Sequence, residues 1–194
     1  MTSTNNITLI FGPMFSGKTT KLIELYEEYI KLYGKEKCIA LNYALDKRYG
    51  ENEIISHDKL KIDCMSIIDL GEFIENSETL KLIQNADYIF INEAQFFENI
   101  DTHVLYLKEI LKKNVILCGL DLDFKKQPFG TMMNLVSKAN EIFKMTGQCH
   151  NIENGCINPS EYSHRIIANE NQVLIGSSEY IPLCESCYNK ANNM

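Results

Sequence analysis

The sequence predicts an α/β protein built on a doubly wound, mainly parallel sheet, with a small zinc-binding lobe at the C-terminal end. Three observations support this prediction. Continuous apolar runs alternate with helical patterns, a glycine-rich segment directly follows the first run, and four cysteines gather in the last quarter of the chain. We therefore expect an α/β domain over residues 1–146 and a lobe over residues 147–194.

Buried strands are predicted at four apolar runs. Each run is continuous rather than alternating, as expected of strands that are covered on both faces of a parallel sheet. Between the first two runs, apolar residues from Leu22 to Tyr33 recur at spacings of three and four, which predicts one face of a helix that Gly34 can end. Residues 70–83 and 104–111 are also compatible with helices. The predicted strands are residues 7–11, 38–41, 88–91 and 115–118.

Length and charge narrow the class of protein. The 194 residues suffice for one sizeable core with a small appendage. The net charge of −7 gives no broad positive field, so we expect no nucleic-acid partner. No run approaches the roughly 18 apolar residues of a membrane span, and the start of the chain lacks the basic residues typical of a secretory signal. A cytoplasmic location without membrane attachment is expected, where reducing conditions favour free or metal-bound cysteines over disulfides.

A phosphate-binding loop is predicted at residues 12–19, which fit the pattern G-x-x-x-x-G-K-[ST]. The preceding strand and the following amphipathic helix are the context that this pattern requires, and a plain glycine-rich turn is the alternative. In such a loop, backbone N–H groups surround phosphate oxygens at the positive end of a helix. Lys18 would bridge the β and γ phosphates of ATP, and the hydroxyl of Thr19 would hold Mg²⁺. This predicts a P-loop NTPase-like domain, in which ATP would contact Gly12, Pro13, Met14, Phe15, Ser16, Gly17, Lys18 and Thr19.

A second candidate, Glu93, follows the predicted strand at residues 88–91. At the carboxyl end of a central strand, its carboxylate would lie beside the phosphate loop and accept a proton from a hydroxyl that attacks the γ-phosphate. The alternative is that Glu93 only caps the helix that follows. The residue before it is Asn92, whereas many proteins of this class have an aspartate at the end of this strand that helps to hold Mg²⁺.

Zinc ligands are predicted among the C-terminal cysteines. Cys149 and Cys156 are separated by six residues, and Cys184 and Cys187 by two. Four such thiolates can enclose a structural Zn²⁺ tetrahedrally and stabilise a lobe too small for a core of its own. The alternatives are His150 as a competing ligand and a redox-active dithiol at Cys184 and Cys187. The other three cysteines lie in or near apolar segments and are expected to be inert.

Several further segments accompany the phosphate loop, with its Pro-Met-Phe, in a fixed order. They are YALDKRY at 43–49, SHD at 56–58, EAQFF at 93–97, GLDLDF at 119–124, PFG at 128–130, Ile-Gly at 175–176, Tyr180 and the C-x-x-C pair at 184–187. Taken together, this set resembles the thymidine kinases that animal cytosol, many bacteria and large DNA viruses share. The resemblance spans nearly the whole chain and is far more specific than the loop pattern alone.

The resemblance implies a reaction and roles for residues around the phosphates. The reaction is the ATP-dependent phosphorylation of the 5′-hydroxyl of thymidine to thymidine monophosphate, in nucleotide salvage. Glu93 would be the base that takes the proton of this hydroxyl. Asp46 and Arg48 would lie near the phosphates, with Arg48 offsetting charge during transfer. Asn92 and Gln95 would belong to the ATP and Mg²⁺ side of the site.

The resemblance also implies a nucleoside pocket. A lasso at residues 172–176 would lie over the base and bind it mainly through backbone groups, while Tyr180 closes the pocket. Plain core packing is the alternative for the two phenylalanines of the pocket. The walls would be Met14, Phe96, Leu120 and Phe124, and the lasso would be Gln172, Val173, Leu174, Ile175 and Gly176.

Two departures from the family pattern bear on these roles. The family usually has an aspartate at the position of Asn92, so the missing charge is expected to raise the Mg²⁺ requirement of a working enzyme. In the lobe, the family's first pair is commonly C-x-x-C. Four residues are therefore inserted between Cys149 and Cys156, and such a loop can still present both thiolates to one metal.

The resemblance further implies a homotetramer and feedback inhibition by thymidine triphosphate. Two other functions are compatible with the residues. A P-loop ATPase or nucleic-acid-binding module could also combine a phosphate loop with a zinc lobe, although the acidic charge balance counts against it. An inactive regulatory relative is suggested only by Asn92.

Overall fold

A six-stranded parallel sheet forms the centre of the computed structural model, which describes residues 5–46, 50 and 52–193. The strands, numbered in chain order, are β1 (Ile7–Phe11), β2 (Cys38–Tyr43), β3 (Glu53–Ile55), β4 (Lys61–Asp63), β5 (Met65–Ile67), β6 (Tyr88–Ile91), β7 (Asn114–Gly119), β8 (Glu141–Lys144), β9 (Gly147–Gln148), β10 (Pro159–Ser160), β11 (Tyr162–Arg165) and β12 (Tyr180–Leu183). The order in the central sheet is β5-β2-β6-β7-β1-β8, and every pairing in it is parallel.

The four predicted strands are confirmed. β1 and β6 have the predicted bounds, β2 continues two residues further, and β7 is one residue longer at each end. The other two strands of the sheet, β5 and β8, were not predicted. Both lie at the edges of the sheet, and β8 is largely exposed, with Ile142 at 42% exposure, so neither shows a continuous apolar run.

Helices alternate with the strands, as predicted. α1 ends before Gly34, whose φ of 97° is a left-handed conformation that glycine adopts without strain. Residues 70–83, which are compatible with helix, are divided between two helices because the chain breaks at Asn76. The Asn76 side chain accepts hydrogen bonds from the backbone N–H groups of Glu78 and Thr79 and so begins a new helix. The helices are α1 (Lys18–Tyr33), α2 (Leu70–Glu75), α3 (Ser77–Asn85), α4 (Ile100–Glu109) and α5 (Glu185–Ala191), with 3₁₀ turns at Lys35–Lys37, Ala94–Phe96, Met132–Lys138 and His150–Asn154.

Two apolar clusters cover the two faces of the sheet. Successive residues of β1 point to opposite faces, so Leu9 packs in one cluster and Ile10 in the other. The first cluster includes buried side chains of α2, α3 and α4. The second includes α1 and the β3–β4 hairpin, to which Ile54 and Ile62 contribute. This double covering confirms the predicted doubly wound α/β architecture.

Beyond β8 the chain forms small, separate elements. β9 pairs with β10 and β11 with β12, both antiparallel, and α5 packs against the second pair. The buried cluster of this region is small and contains Cys149, Leu183, Cys184 and Tyr188. The division of the chain at residue 146 stays a prediction. Within the described ranges, no helix has the length and apolar character needed to cross a bilayer.

Candidate active site

The carboxyl ends of β1, β2, β6 and β7 open onto a cavity of about 450 Å³. Parallel strands end at one edge of a sheet, so the segments that follow them meet there. The β3–β4 hairpin and residues of the predicted lasso complete the wall. Of the predicted site residues, the wall contains Met14, Phe15, Ser16, Gly17, Lys18, Thr19, Asp46, Asn92, Glu93, Gln95, Phe96, Leu120, Phe124, Gln172, Leu174, Ile175, Gly176 and Tyr180.

Three residues predicted for the ATP and nucleoside sites do not line the cavity, and a fourth lies outside the described residues. Among the described residues, Gly12 and Pro13 belong to the loop but not to the cavity wall. Val173, which is 50% exposed to solvent, is also absent from the wall. Arg48 lies outside the described residues. The wall also includes residues for which no individual role was predicted, among them Asn42, His57, Asp58, Asp123 and Ser163.

The phosphate loop joins β1 to α1 in a conformation that two glycines permit. Gly12 has a φ of 148°, and a Cβ at this position would lie 2.1 Å from the backbone oxygen of Met145. Gly17, with a φ of 82°, is the N-cap of α1. A larger residue at either position would be strained. The loop thus presents the N-terminus of a long helix to the cavity, where its partial positive charge favours phosphate.

Lys18 and Thr19 are the first two residues of α1 and line the cavity. The ammonium of Lys18 donates to the carbonyl oxygen of Pro13 at 2.6 Å. The hydroxyl of Thr19 shares the cavity with the carboxylates of Asp46 and Glu93. Hydroxyl and carboxylate oxygens are ligands that Mg²⁺ prefers, so these residue types are compatible with this ion.

The β3–β4 hairpin lies beside the phosphate loop. Asp58 lies in the turn of this hairpin and accepts a hydrogen bond from the hydroxyl of Thr20 at 2.9 Å. The ring centroids of His57 and Phe15 are 4.8 Å apart. Ile54 anchors the hairpin in the apolar cluster that also covers α1. The sequence identified this segment only through its resemblance, because the contacts join residues far apart in the chain.

Glu93 follows β6 and adopts a left-handed conformation with a φ of 54°. Its side chain makes no capping hydrogen bond to the 3₁₀ turn that begins at the next residue, so the cap alternative fails here. Instead, Gln95 Nε2 donates to Glu93 Oε2 at 2.7 Å, and Gln95 Oε1 accepts from the backbone N–H of Leu120 at 3.0 Å. This second bond fixes the orientation of the Gln95 amide. A Cβ at Gly119 would lie 2.5 Å from the same oxygen, so the glycine leaves room for it.

Asn92 is buried in a row of polar groups. Its Nδ2 donates to Asn42 Oδ1 at 2.8 Å, and its Oδ1 accepts from the thiol of Cys118 at 3.0 Å. Burial, with a smaller contribution from the charge of Glu93, raises the pKa of Cys118 to about 12, so this thiol is protonated and donates near neutral pH. The Asn92 amide is therefore held by hydrogen bonds at both its nitrogen and its oxygen.

An aromatic pocket occupies another part of the cavity. The ring of Phe96 stacks on Tyr43, with centroids 5.2 Å apart, and meets Phe129 edge-on at 5.5 Å. Phe96 therefore both packs against other aromatic rings and forms part of the wall.

Ser163 Oγ accepts from the backbone N–H of Met14 at 2.9 Å and joins the phosphate loop to β11.

Four cysteine sulfurs form a cluster in the C-terminal region. The Sγ atoms of Cys149, Cys156, Cys184 and Cys187 all lie within 4.8 Å of one another. The Cys156–Cys184 and Cys156–Cys187 sulfur distances are 3.7 and 3.8 Å. Zn–S bonds of about 2.3 Å in a tetrahedron place sulfurs about 3.8 Å apart, so the cluster fits zinc. Among the described residues, His150 does not belong to this group, and the grouping of all four sulfurs favours a metal site over an isolated dithiol.

Five of the six residues between the first two cysteines form a 3₁₀ turn at His150–Asn154. The backbone N–H of Cys156 donates to the carbonyl oxygen of Asn151, which closes this loop. The longer loop therefore still brings both sulfurs to the cluster, as the sequence predicted.

Known proteins similar to this chain point to one family. A sequence profile of the family described as thymidine kinase matches residues 5–188. Thymidine kinase 1 of Dictyostelium discoideum is 35% identical over 194 residues, which cover 96% of this chain and 79% of the relative. The thymidine kinase of Pseudothermotoga lettingae is 35% identical, with 95% of each chain covered. That of Yaba monkey tumor virus is also 35% identical, with 96% of each covered.

Among solved structures, one titled as two coordinating Pif1 helicases at forked DNA covers 70% of this chain and 34% of its own. Its TM-score is 0.35 at 16% identity, a likeness too low to carry an argument. The profile, in contrast, matches nearly the whole chain, and the three relatives align over most of their own length. This chain therefore belongs to the thymidine kinase family.

Proposed function

We propose that this chain transfers the γ-phosphoryl group of ATP to the 5′-hydroxyl of thymidine, giving thymidine monophosphate for DNA precursor synthesis. The observation that carries the proposal is a single cavity in which the phosphate loop, Glu93 and an aromatic pocket meet. Family membership supports the substrate, since the curated relatives are named thymidine kinases.

The phosphates of ATP would bind at the N-terminus of α1. The helix dipole, the loop N–H groups and the ammonium of Lys18 stabilise the negative charge that the transferring group carries. Mg²⁺, when bound with ATP, supplies charge neutralisation on the β and γ phosphates. The hydroxyl of Thr19 would hold it, with the carboxylate of Asp46 on the same cavity wall. Arg48 would add a further positive charge.

Glu93 would accept the proton of the 5′-hydroxyl. Gln95 donates to one oxygen of the Glu93 carboxylate and so holds the Glu93 side chain in the cavity wall. Phosphoryl transfer leaves little covalent chemistry to the protein, and its rate depends mainly on how the two substrates are positioned. A base held by a neighbour whose own orientation is fixed meets this requirement.

The nucleoside would lie against Phe96, Leu120 and Phe124, under the lasso at residues 172–176. Backbone groups of the lasso would hydrogen-bond the base, and Tyr180 would close the pocket. A nucleotide that carries both a thymine base and a triphosphate presents the groups that the two halves of the cavity recognise. We therefore expect feedback inhibition by thymidine triphosphate, in a cytoplasmic homotetramer that needs neither nucleic acid nor a membrane as a partner.

The proposed substrate is tested by a panel of nucleosides with ATP and Mg²⁺, scored for the monophosphate product. We expect thymidine to be phosphorylated in preference to deoxycytidine and the purine deoxynucleosides. ATP hydrolysis without nucleoside should not rise when DNA is added. DNA-stimulated hydrolysis without any thymidine monophosphate would instead support the ATPase alternative.

The role of Glu93 is tested by Glu93→Gln, which keeps the shape of the side chain but removes the base. We expect kcat for thymidine phosphorylation to fall by roughly 10²- to 10⁴-fold, while the affinity for ATP is unchanged. Glu98→Gln is the matched control, because Glu98 is a nearby exposed carboxylate. A near-normal rate in Glu93→Gln would remove this residue as the base.

The effect of Asn92 on Mg²⁺ is tested by Asn92→Asp. The new carboxylate would lie in the cavity beside Glu93, and the Asn42 amide would have to rotate so that it donates. We expect the half-saturating Mg²⁺ concentration to fall severalfold, because a second anionic ligand strengthens a divalent site. Asn85→Asp, on the exposed end of α3, is the control. Unchanged Mg²⁺ dependence in Asn92→Asp contradicts the idea.

We also propose one structural Zn²⁺ per chain, held by Cys149, Cys156, Cys184 and Cys187. Metal analysis of the reduced protein should give one zinc. Cys156→Ser should lose the metal and lower Tm, because the small C-terminal region has few other buried contacts. Cys64→Ser is the control and should retain the zinc, since burial raises the pKa of Cys64 to about 11 and it lies outside the cluster. Reduced protein without zinc would overturn this assignment.

A further inference from the structure

Arg165, in β11, is buried beside the lasso with only 6% of its surface exposed. A guanidinium has five N–H donors, and each of these has an acceptor. Nη1 donates to the carbonyl oxygens of Asn169 at 2.8 Å and Asn171 at 2.6 Å. Nη2 donates to the carbonyl oxygen of Gln172 at 3.1 Å and to the hydroxyl of Tyr180. Nε also donates to that hydroxyl, at 3.1 Å.

Tyr180 extends this network by one step. Its hydroxyl donates to the carbonyl oxygen of Leu174 at 3.0 Å. A phenol has one proton and two lone pairs, so the two bonds accepted from Arg165 and the one donated to Leu174 use its full capacity. Four backbone carbonyls are thus tied to one guanidinium, either directly or through Tyr180: those of Asn169 and Asn171, just before the lasso, and those of Gln172 and Leu174, within it.

A face of the Arg165 guanidinium contacts the segment that follows β7. Its Cζ lies 3.6 Å from the ring centroid of Phe124, a cation–π contact. Phe124 and Tyr180 both line the cavity, whereas Arg165 does not. Gln172 Nε2 adds a parallel tie, donating to Asp123 Oδ2 at 2.8 Å. Arg165 therefore joins the lasso to the segment after β7 from behind the wall.

The lasso depends on these hydrogen bonds because its backbone carbonyls have no partners in a helix or sheet. In the described chain, residues 166–179 between β11 and β12 form no helix or strand, so their carbonyls have no ladder of partners. A loose segment must be ordered each time a ligand binds, and this cost weakens binding. Lysine could not substitute, because an ammonium is a point charge with three donors and lacks the planar fork.

We propose that Arg165 is a positioning residue that holds residues 169–174 in their nucleoside-binding form, and so sets the affinity for the nucleoside without touching it. The inference rests on the proposed function for its substrate. Its structural half, the order of the lasso, does not depend on the reaction.

Arg165→Lys tests this proposal, because it keeps the charge and most of the stem but removes the fork. We expect the KM for thymidine to rise by about tenfold, as the loss of one or two charged hydrogen bonds implies. The KM for ATP should change by less than about twofold. Hydrogen exchange should become faster at the backbone amides of residues 169–176, without ligand, and stay unchanged in α1.

Lys125→Met is the matched control. The ammonium of Lys125 contacts the carboxylate of Glu170, two residues before the lasso, but these side chains are 47% and 86% exposed. An exposed pair contributes little, so the KM for thymidine should change by less than about twofold. An equal rise in this control would show that any contact to residues 166–179 has the same effect, and would overturn the special role of Arg165.

Tyr180→Phe provides a second route if Arg165→Lys does not fold. It keeps the ring but removes the hydroxyl that links Arg165 to Leu174, so it should also raise the KM for thymidine and speed exchange in the lasso. Unchanged thymidine KM and unchanged exchange overturn the proposal, and so do equal rises in both KM values. Absence of thymidine phosphorylation by the unaltered protein would instead overturn the proposed function, and the exchange experiment would still decide the role of Arg165.

Discussion

Parallel pairing of β2, β6, β7 and β1 places their carboxyl ends on one edge of the sheet, and the site depends on this register. Leu41 pairs with Ile91, and Ile91 pairs with Leu117. The residues that follow these three are Asn42, Asn92 and Cys118, which lie in one row and share one line of hydrogen bonds. Glu93 is the next residue after Asn92 and lies beyond the end of β6. A slip of one residue would turn this side-chain row to the other face of the sheet.

The same row limits where charge can be placed. Burial keeps the Cys118 thiol neutral, and the other two members of the row, Asn92 and Asn42, are neutral amides. Burying polar groups is costly unless they are hydrogen-bonded, and here each amide or thiol has a partner. The carboxylate of Glu93 instead lines the cavity, where Lys18 and the N-terminus of α1 also lie. The charged groups of the cavity thus lie next to a row of neutral, buried groups.

The sequence predicted the parts of the fold whose signal is local. Continuous apolar runs located the central strands, and the loop pattern and the position of Glu93 followed from the end of a strand. β8 was not predicted because this edge strand is largely exposed and carries charged residues. The role of Arg165 was not predicted for a different reason. Its acceptors are mostly backbone carbonyls, which every residue has, so no sequence pattern indicates them. The contact of Asn92 with Asn42 needed the register of two strands fifty residues apart.

The C-terminal region supports the nucleoside side of the cavity through one short segment. The hydroxyl of Tyr188, in α5, donates to the carbonyl oxygen of Phe124. The ammonium of Lys126 lies 4.1 and 4.4 Å from the ring centroids of Tyr162 and Tyr188. Tyr188 packs in the same small cluster as the cysteines, and Phe124 stacks on Arg165. The contacts that order the cysteine cluster are therefore continuous with those that hold the lasso, so a lobe with little core of its own can still fix one wall of the pocket.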